Sequence, residues 1–237
     1  MIPSTGVIIP SAGKGSRMDS ELPKQMLQVG SMTILAYTIT RLLQIESVRY
    51  LVIPVSADLA EPVAEIADGC LRIAKKTKKV NLKLTAGGRE RMHSVGSGLL
   101  ELAETDAELV MVHDAVRPCF PLMAVNEALE TANAKGAAIL AVPARDTVKL
   151  VNDSRRITAT PDRSRVWLAQ TPQVFRTKIL IDAFEKAKND GFVATDDASM
   201  AEYAGYPVHV VEGSHDNIKV TYPSDLFFVE NWLKQDK

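Results

Sequence analysis

Three clusters of residues have the composition to hold a polyphosphate and act on it. The first is PSAGKGSRM, residues 10–18, which directly follows an apolar run. Gly13 and Gly15 let a backbone approach a ligand closely and turn its N–H groups toward phosphate oxygens. Arg17 adds a guanidinium fork and Lys24 a point charge, with Pro23 restraining the chain just before Lys24. The spacing G-x-G-x-x-M lacks the third glycine of the dinucleotide fingerprint, and no G-x-x-x-x-G-K-[ST] occurs. A plain turn explains the two glycines equally well, and plain solvation the two cations.

The second cluster is GGRERMHSVGSGL, residues 87–99. Gly87 and Gly88 make a tight turn, and the helix after it aims its N-terminus and Ser94 at the ligand edge of a sheet. The competing reading is a turn with an ordinary helix start. His93 has no second histidine at metal-binding spacing. The third cluster is VMVHDAVRP, residues 110–118. Asp114 ends an apolar strand, where a carboxylate can hold Mg²⁺ beside phosphates, bond a ribose hydroxyl, or only cap a turn. His113 points to the opposite face and reads as a packed core histidine, with Arg117 supporting the loop.

The second half holds ARDTVK (144–149), TPDR (160–163), WLAQTPQVF (167–175), TDDAS (195–199) and NIKVT (217–221). None specifies chemistry alone. TDDAS reads as a helix start with Thr195 or Asp196 as N-cap. In NIKV, alternation turns Lys219 away from Ile218 and Val220. No Ser-His-Asp order, cysteine nucleophile or H-E-x-x-H motif is present, so the charges fit neutralising phosphates rather than acyl transfer.

These clusters must be positioned by an α/β framework. Short apolar runs predict strands over 6–10, 50–55, 81–85, 109–113, 137–143 and 208–212. Between them, apolar periodicity predicts helices over 34–44, 59–67, 94–104, 122–135, 178–189 and 224–234. Runs as uniformly apolar as VIIP and LVMVH suit strands covered on both faces, hence a mostly parallel central sheet flanked by helices. Residues 143–167 show no helical period and read as a projecting β-hairpin arm. An arm this small buries little surface alone and is expected to pack on a second subunit. The remaining chain, 1–237, reads as one domain.

Composition narrows the class. The 237 residues are 46% hydrophobic and 24% charged, ordinary for a globular chain. Twenty-eight basic residues against 29 acidic ones give a net charge of -1, which argues against bulk nucleic-acid binding. Two cysteines in unrelated contexts make neither a disulfide framework nor a metal knuckle, and no apolar run is long enough to span a bilayer. The N-terminus lacks the basic region of a signal peptide, so a reducing, cytoplasmic setting is expected.

Taken in order, P-S-A-G-K-G-S-R-M…P-K-Q, G-G-R-E-R…S-V, V-H-D-A-V-R-P, R-D-T-V-K, A-Q-T-P-Q-V-F, T-D-D-A-S and N-I-K-V-T resemble the 2-C-methyl-D-erythritol 4-phosphate cytidylyltransferases of non-mevalonate isoprenoid biosynthesis. The resemblance runs from about residue 6 to 230. It implies a Rossmann-like nucleotidyltransferase fold and a homodimer whose arms reach into each other's sites. It also implies transfer of cytidylyl from CTP to a polyol phosphate, with Mg²⁺ and release of pyrophosphate. Arg17 and Lys24 would stabilise the transition state at the α-phosphorus. Lys219, with Thr147 and Arg163 from the partner's arm, would position the acceptor phosphate. Asp114 would serve the polyol or the metal, and Ser11, Ala12, Gly13, Gly15, Gly88 and Ser94 the nucleotide. Ser11 stands where family members commonly carry alanine, and Arg89 where some carry an acidic residue. Three rival readings compete, one of them a non-catalytic nucleotide-binding or scaffold protein, against which the intact Arg17, Lys24 and Lys219 argue. A ribitol-5-phosphate cytidylyltransferase shares the nucleotide half. An NAD-dependent oxidoreductase needs an acidic residue about 20 positions past the glycines, closing the second strand, but that strand begins only near Tyr50.

Overall fold

The computed structural model describes residues 2–13, 22–74 and 79–235. The first strand, β1 (Thr5–Ile8), is followed by a small hairpin, β2 (Gln28–Val29) and β3 (Met32–Thr33). Three strand–helix units come next: α1 (Ile34–Leu42) with β4 (Val48–Val55), α2 (Ala60–Ala74) with β5 (Asn81–Ala86), and α3 (Arg91–Ala103) with β6 (Leu109–Val112). Then follow α4 (Leu122–Lys135) and β7 (Ala137–Pro143). A two-stranded arm holds β8 (Leu150–Val151) and β9 (Ile157–Ala159), and the chain re-enters the sheet as β10 (Trp167–Arg176). It closes with α5 (Thr177–Asp190), α6 (Asp197–Tyr203), β11 (His209–Glu212) and α7 (Pro223–Gln235).

The central sheet has seven strands in the order β11-β7-β10-β6-β1-β4-β5. All neighbours pair in parallel except β10, which is antiparallel to both β7 and β6. The apolar runs are continuous because both faces are covered. Val7, Leu51, Ile53, Leu109 and Met111 pack under α1, α2 and α4. Their neighbours Ile8, Val52, Val110 and Val112 pack under α3, α5 and α6.

Most predicted elements lie within a turn of their observed bounds. Helix α4 ends where Gly136 adopts φ +101°, a conformation that a side chain would strain. Helix α2 runs to Ala74, beyond the expected end at 67, because Gly69 remains helical. Helix α3 begins at Arg91, one turn before the expected start at 94, and this brings Arg91 into the site. Strand β10 was not expected from the sequence. Its residues Gln170, Thr171 and Gln173 are buried but polar, which erases the apolar signature. Pro172 interrupts the run as well. It sits where pairing with β7 lapses between Ala169 and Gln173, a place that tolerates a residue with no N–H to donate.

Candidate active site

The connections from β1 through β4 to β5 step outward in one direction. The crossover through α3 then returns past β1 to β6. Such a reversal opens a crevice at the carboxyl ends of the two strands between which it occurs, here β1 and β6. A cleft of about 280 Å³ lies there. Ser11, Ala12, Gly13, Lys24, Gly88, Ser94, Asp114 and Lys219 all line it. Gly15 and Arg17 lie outside the described residues. Thr147 and Arg163 are exposed on the arm and do not line this cleft within one chain. A larger hollow of about 570 Å³ between α1 and α2 collects none of these residues.

Two loops form one side of the cleft. A Cβ on Gly87 would lie 2.2 Å from the Cβ of Ala12, so the two loops meet at a distance only glycine allows. A Cβ on Gly88 would lie 2.2 Å from the Cβ of His93. The buried Ser94 hydroxyl accepts the Gly88 N–H at 3.0 Å, fixing the turn onto α3. Gln25 was not singled out in the sequence, although it sits in P-K-Q. Its side-chain amide donates to the carbonyls of Ser11 (2.7 Å) and Gly13 (3.4 Å). That bond ties the start of the glycine loop to the short turn carrying Lys24, whose ammonium donates to the Thr221 carbonyl at 3.4 Å.

Asp114 is the hub of the opposite wall. Its carboxylate is 7% exposed and meets three cations. Arg91 reaches Oδ1 at 3.4 Å, while Arg117 and Lys219 each reach Oδ2 at 3.1 Å. Burial alone pushes this carboxyl up, but Lys219, Arg91 and Arg117 outweigh it and hold it far below the usual carboxylate range. Arg91 was also missed in the sequence, where it reads as part of a turn. Its partner Asp197 is fully buried and lies 106 positions away, so no local signal links them.

Behind Asp114 the core histidine locks the strand end. The Nε2 of His113 lies 3.0 Å from the Arg117 carbonyl, which can only accept, so Nε2 carries the proton. Thr171 then donates its hydroxyl to Nδ1 and accepts the Asp114 N–H, both at 3.0 Å. Burial lowers the His113 pKa to about 4, which keeps the ring neutral. Asp196 is the N-cap of α6 in a full capping box, as one of the two expected alternatives. It lines a second, smaller cleft of about 120 Å³ with Thr195, Thr171, Gln173, Arg117 and Lys219. Asp114 and Arg91 belong to both clefts.

The Asp114 surroundings do not fit a divalent cation. Both carboxylate oxygens are already engaged by positive groups, and a metal there would face three cations at close range. Among the described residues, no group of three or more His, Cys, Asp or Glu side chains could hold a metal. The expectation that Asp114 ligates Mg²⁺ therefore finds no supporting donor set, and Asp114 acts instead as the counter-ion that gathers the cations. The site as built can bind a highly charged anion and align a second one beside it.

The sequence model for 2-C-methyl-D-erythritol 4-phosphate cytidylyltransferase (IspD) matches residues 5–235. The chain is 40% identical to the protein of that name from Syntrophus aciditrophicus, covering 100% of this chain and 99% of the relative. It is 36% identical to the chloroplastic one of Oryza sativa, covering 98% of this chain and 75% of the relative. Among solved structures it resembles 4-diphosphocytidyl-2C-methyl-D-erythritol synthase from Anaerococcus prevotii, with TM-score 0.83 at 27% identity over 98% of this chain and 96% of that one. The 2-C-methyl-D-erythritol 4-phosphate cytidylyltransferase from Thermus thermophilus superposes with TM-score 0.77 at 30% identity, over 98% and 99%. The chain is thus a nucleotidyltransferase and belongs to the 2-C-methyl-D-erythritol 4-phosphate cytidylyltransferase family.

Proposed function

We propose that the protein joins CTP to 2-C-methyl-D-erythritol 4-phosphate, giving 4-diphosphocytidyl-2-C-methyl-D-erythritol and pyrophosphate for isoprenoid precursor synthesis. One observation carries this reading. A glycine loop and Lys24 face a cation cluster on Asp114 across the crevice between β1 and β6. CTP carries about four negative charges and the acceptor phosphate up to two, so mutual repulsion is the main obstacle to attack on the α-phosphorus. Lys24 and Arg17 offset the charge that builds there, and alignment in the cleft supplies much of the remaining rate. A phosphate is already a competent nucleophile, so no general base is needed, in keeping with a His113 that is neutral and engaged on both ring nitrogens.

Ser11, Ala12, Gly13, Gly15, Gly88 and Ser94 contact the nucleotide in this reading, and Lys219 and Asp114 serve the acceptor. Thr147 and Arg163 reach the acceptor from the arm of a second subunit in a homodimer. That role is supported by their exposure and by the exposed apolar side chains Leu150, Val151 and Ile157 on the same arm. A Mg²⁺ ion, where bound, would be held by the triphosphate oxygens rather than by Asp114 and would offset part of their charge. No described helix is long and apolar enough to cross a membrane. Both cysteines are buried thiols outside any described disulfide, which supports a reducing, cytoplasmic setting. The test is pyrophosphate release from CTP with each polyol phosphate. The methylerythritol phosphate is expected to be used at least about tenfold better, in kcat/KM, than ribitol 5-phosphate. Equal use, or preference for ribitol 5-phosphate, overturns the acceptor assignment.

A further inference from the structure

Arg91 is a cation in the wall of an anion-binding cleft, and the simplest role for it would be to touch a phosphate. Its hydrogen bonds point elsewhere. Nη1 and Nη2 donate to Oδ1 (3.0 Å) and Oδ2 (2.8 Å) of Asp197 as a two-pronged fork, and Nε faces Asp114. Both oxygens of Asp197 accept, which fits only the ionised carboxylate. Asp197 is fully buried. Burial pushes its carboxyl up while Arg91 opposes the shift. The Arg91 guanidinium is held charged even though burial works against it, because Asp197 and Asp114 outweigh that cost.

The fork joins three parts of the chain that are remote in sequence. Arg91 opens α3, Asp114 ends β6, and Asp197 opens α6. The start of α6 is fixed a second time by Gln173 of β10. Its side-chain amide donates to Asp196 Oδ2 at 2.8 Å and its oxygen accepts the Ala198 N–H at 2.9 Å. Thr195 and Asp196, just before Asp197, form one wall of the smaller cleft, and Asp114 and Lys219 form the other. Gln173 ties the first wall to the sheet, whereas the Arg91 fork ties it directly to the carboxylate that holds Lys219.

We propose that Arg91 and Asp197 form a positioning pair that sets the spacing of the two walls of the acceptor pocket, and that Arg91 is not a phosphate ligand. This rests on the reading above that Lys219 and Asp114 serve the acceptor, and it places the polyol phosphate in the smaller cleft that they share with Thr195 and Asp196. The nucleotide side is held independently by the Ser94–Gly88 and Gln25–Ser11 bonds. Breaking the fork therefore acts on one substrate and spares the other.

The experiment uses the full chain with Arg91→Gln and Asp197→Asn combined, which removes both charges and leaves no unpaired buried ion. The expected result is a cooperative thermal melt, a KM for CTP within about threefold of wild type, and a KM for the polyol phosphate raised about tenfold or more. A merely structural pair would weaken both substrates together or neither, and a phosphate-binding Arg91 would leave the polyol phosphate KM unchanged in Asp197→Asn alone, which keeps the Arg91 charge; either pattern overturns the proposal. Should the double variant not fold, Asp197→Asn alone carries the same split, since the amide oxygen still accepts one prong of the fork. Equal changes in the two KM values there are again fatal to the idea. Wild-type protein assayed in parallel separates the two failures. No pyrophosphate release from it with methylerythritol phosphate refutes the functional reading. Turnover by wild type with no substrate-selective loss in the variants refutes only the positioning role.

Discussion

The wall around Asp114 and the arm between β7 and β10 are both rich in arginine and lysine, yet they treat those side chains in opposite ways. At Asp114 two guanidiniums and an ammonium converge on a buried carboxylate, and Asp197, Thr171, Asn217 and His113 brace them from behind. On the arm, among the described residues, the Arg163 side chain donates to the Arg145 carbonyl and Lys149 to the Thr160 hydroxyl, within the same exposed segment. The arm also leaves Leu150, Val151 and Ile157 more than half exposed. The first region is completed by the chain's own contacts, with each cation held in place by partners within the same chain. The second has the composition of a surface that another molecule completes. A charge is useful in catalysis only where its position is fixed in advance, so the Asp114 wall is preorganised within one chain, whereas the arm suits the proposed role of completing a second copy.

This contrast can be broken by substitution. Lys24→Ala should lower kcat by about 10²-fold or more, equivalent to about 3 kcal/mol, with the fold intact by circular dichroism. Near-normal turnover in that variant would remove the preorganised half of the comparison. The buried side also predicts a pH dependence. His113 titrates near 4 in the folded chain against 6.5 ordinarily, so the unfolded chain binds more protons between those values. Its contribution is fully present above about pH 6.5 and is lost as the pH falls toward 4, by up to about 3 kcal/mol. Denaturant melts at pH 7, 5 and 4 should show this slope, and His113→Gln should flatten it.

The exposed side predicts smaller losses of a different kind. Leu150→Asp with Ile157→Asp should abolish the proposed dimer in sedimentation while leaving the melting temperature nearly unchanged, because neither side chain is buried in the single chain. Loss of acceptor affinity should accompany dissociation, by about tenfold. Mixing inactive Lys24→Ala and Arg163→Ala chains should restore part of the activity if sites are shared. Complete absence of complementation would sharpen the contrast into a rejection of the crossed arm.

The same contrast explains what could be read from the sequence. Strands such as β4 and β6 and helices such as α4 are legible because burial on one or two faces imposes a local pattern. The cleft-lining residues from Ser11 to Gly13, with Lys24, Gly88, Ser94, Asp114 and Lys219, were also legible, because glycine turns and strand ends mark them locally. Strand β10 was not, since the side chains of its buried Gln170, Thr171 and Gln173 are satisfied by partners elsewhere in the chain, the Ser214 carbonyl, His113 and Asp196. Arg91 and Gln25 were missed for the same reason. Their roles depend on an acceptor across the fold, and a hydrogen bond between distant residues leaves no period in the chain. The assignment of Asp114 to a metal came from its strand-end position, which says nothing about the three cations that arrive from elsewhere.

The reversed direction of β10 has a practical consequence. Strand β7 leaves the sheet, and β10 enters it, at the rim that carries the catalytic cleft, so the arm is hinged on two covalent stalks at the cleft's doorway. In the proposed dimer, a small molecule or peptide that grips the exposed arm would keep Thr147 and Arg163 from the partner's acceptor pocket without resembling either substrate, which makes the arm a handle for inhibitors that bulk CTP cannot displace.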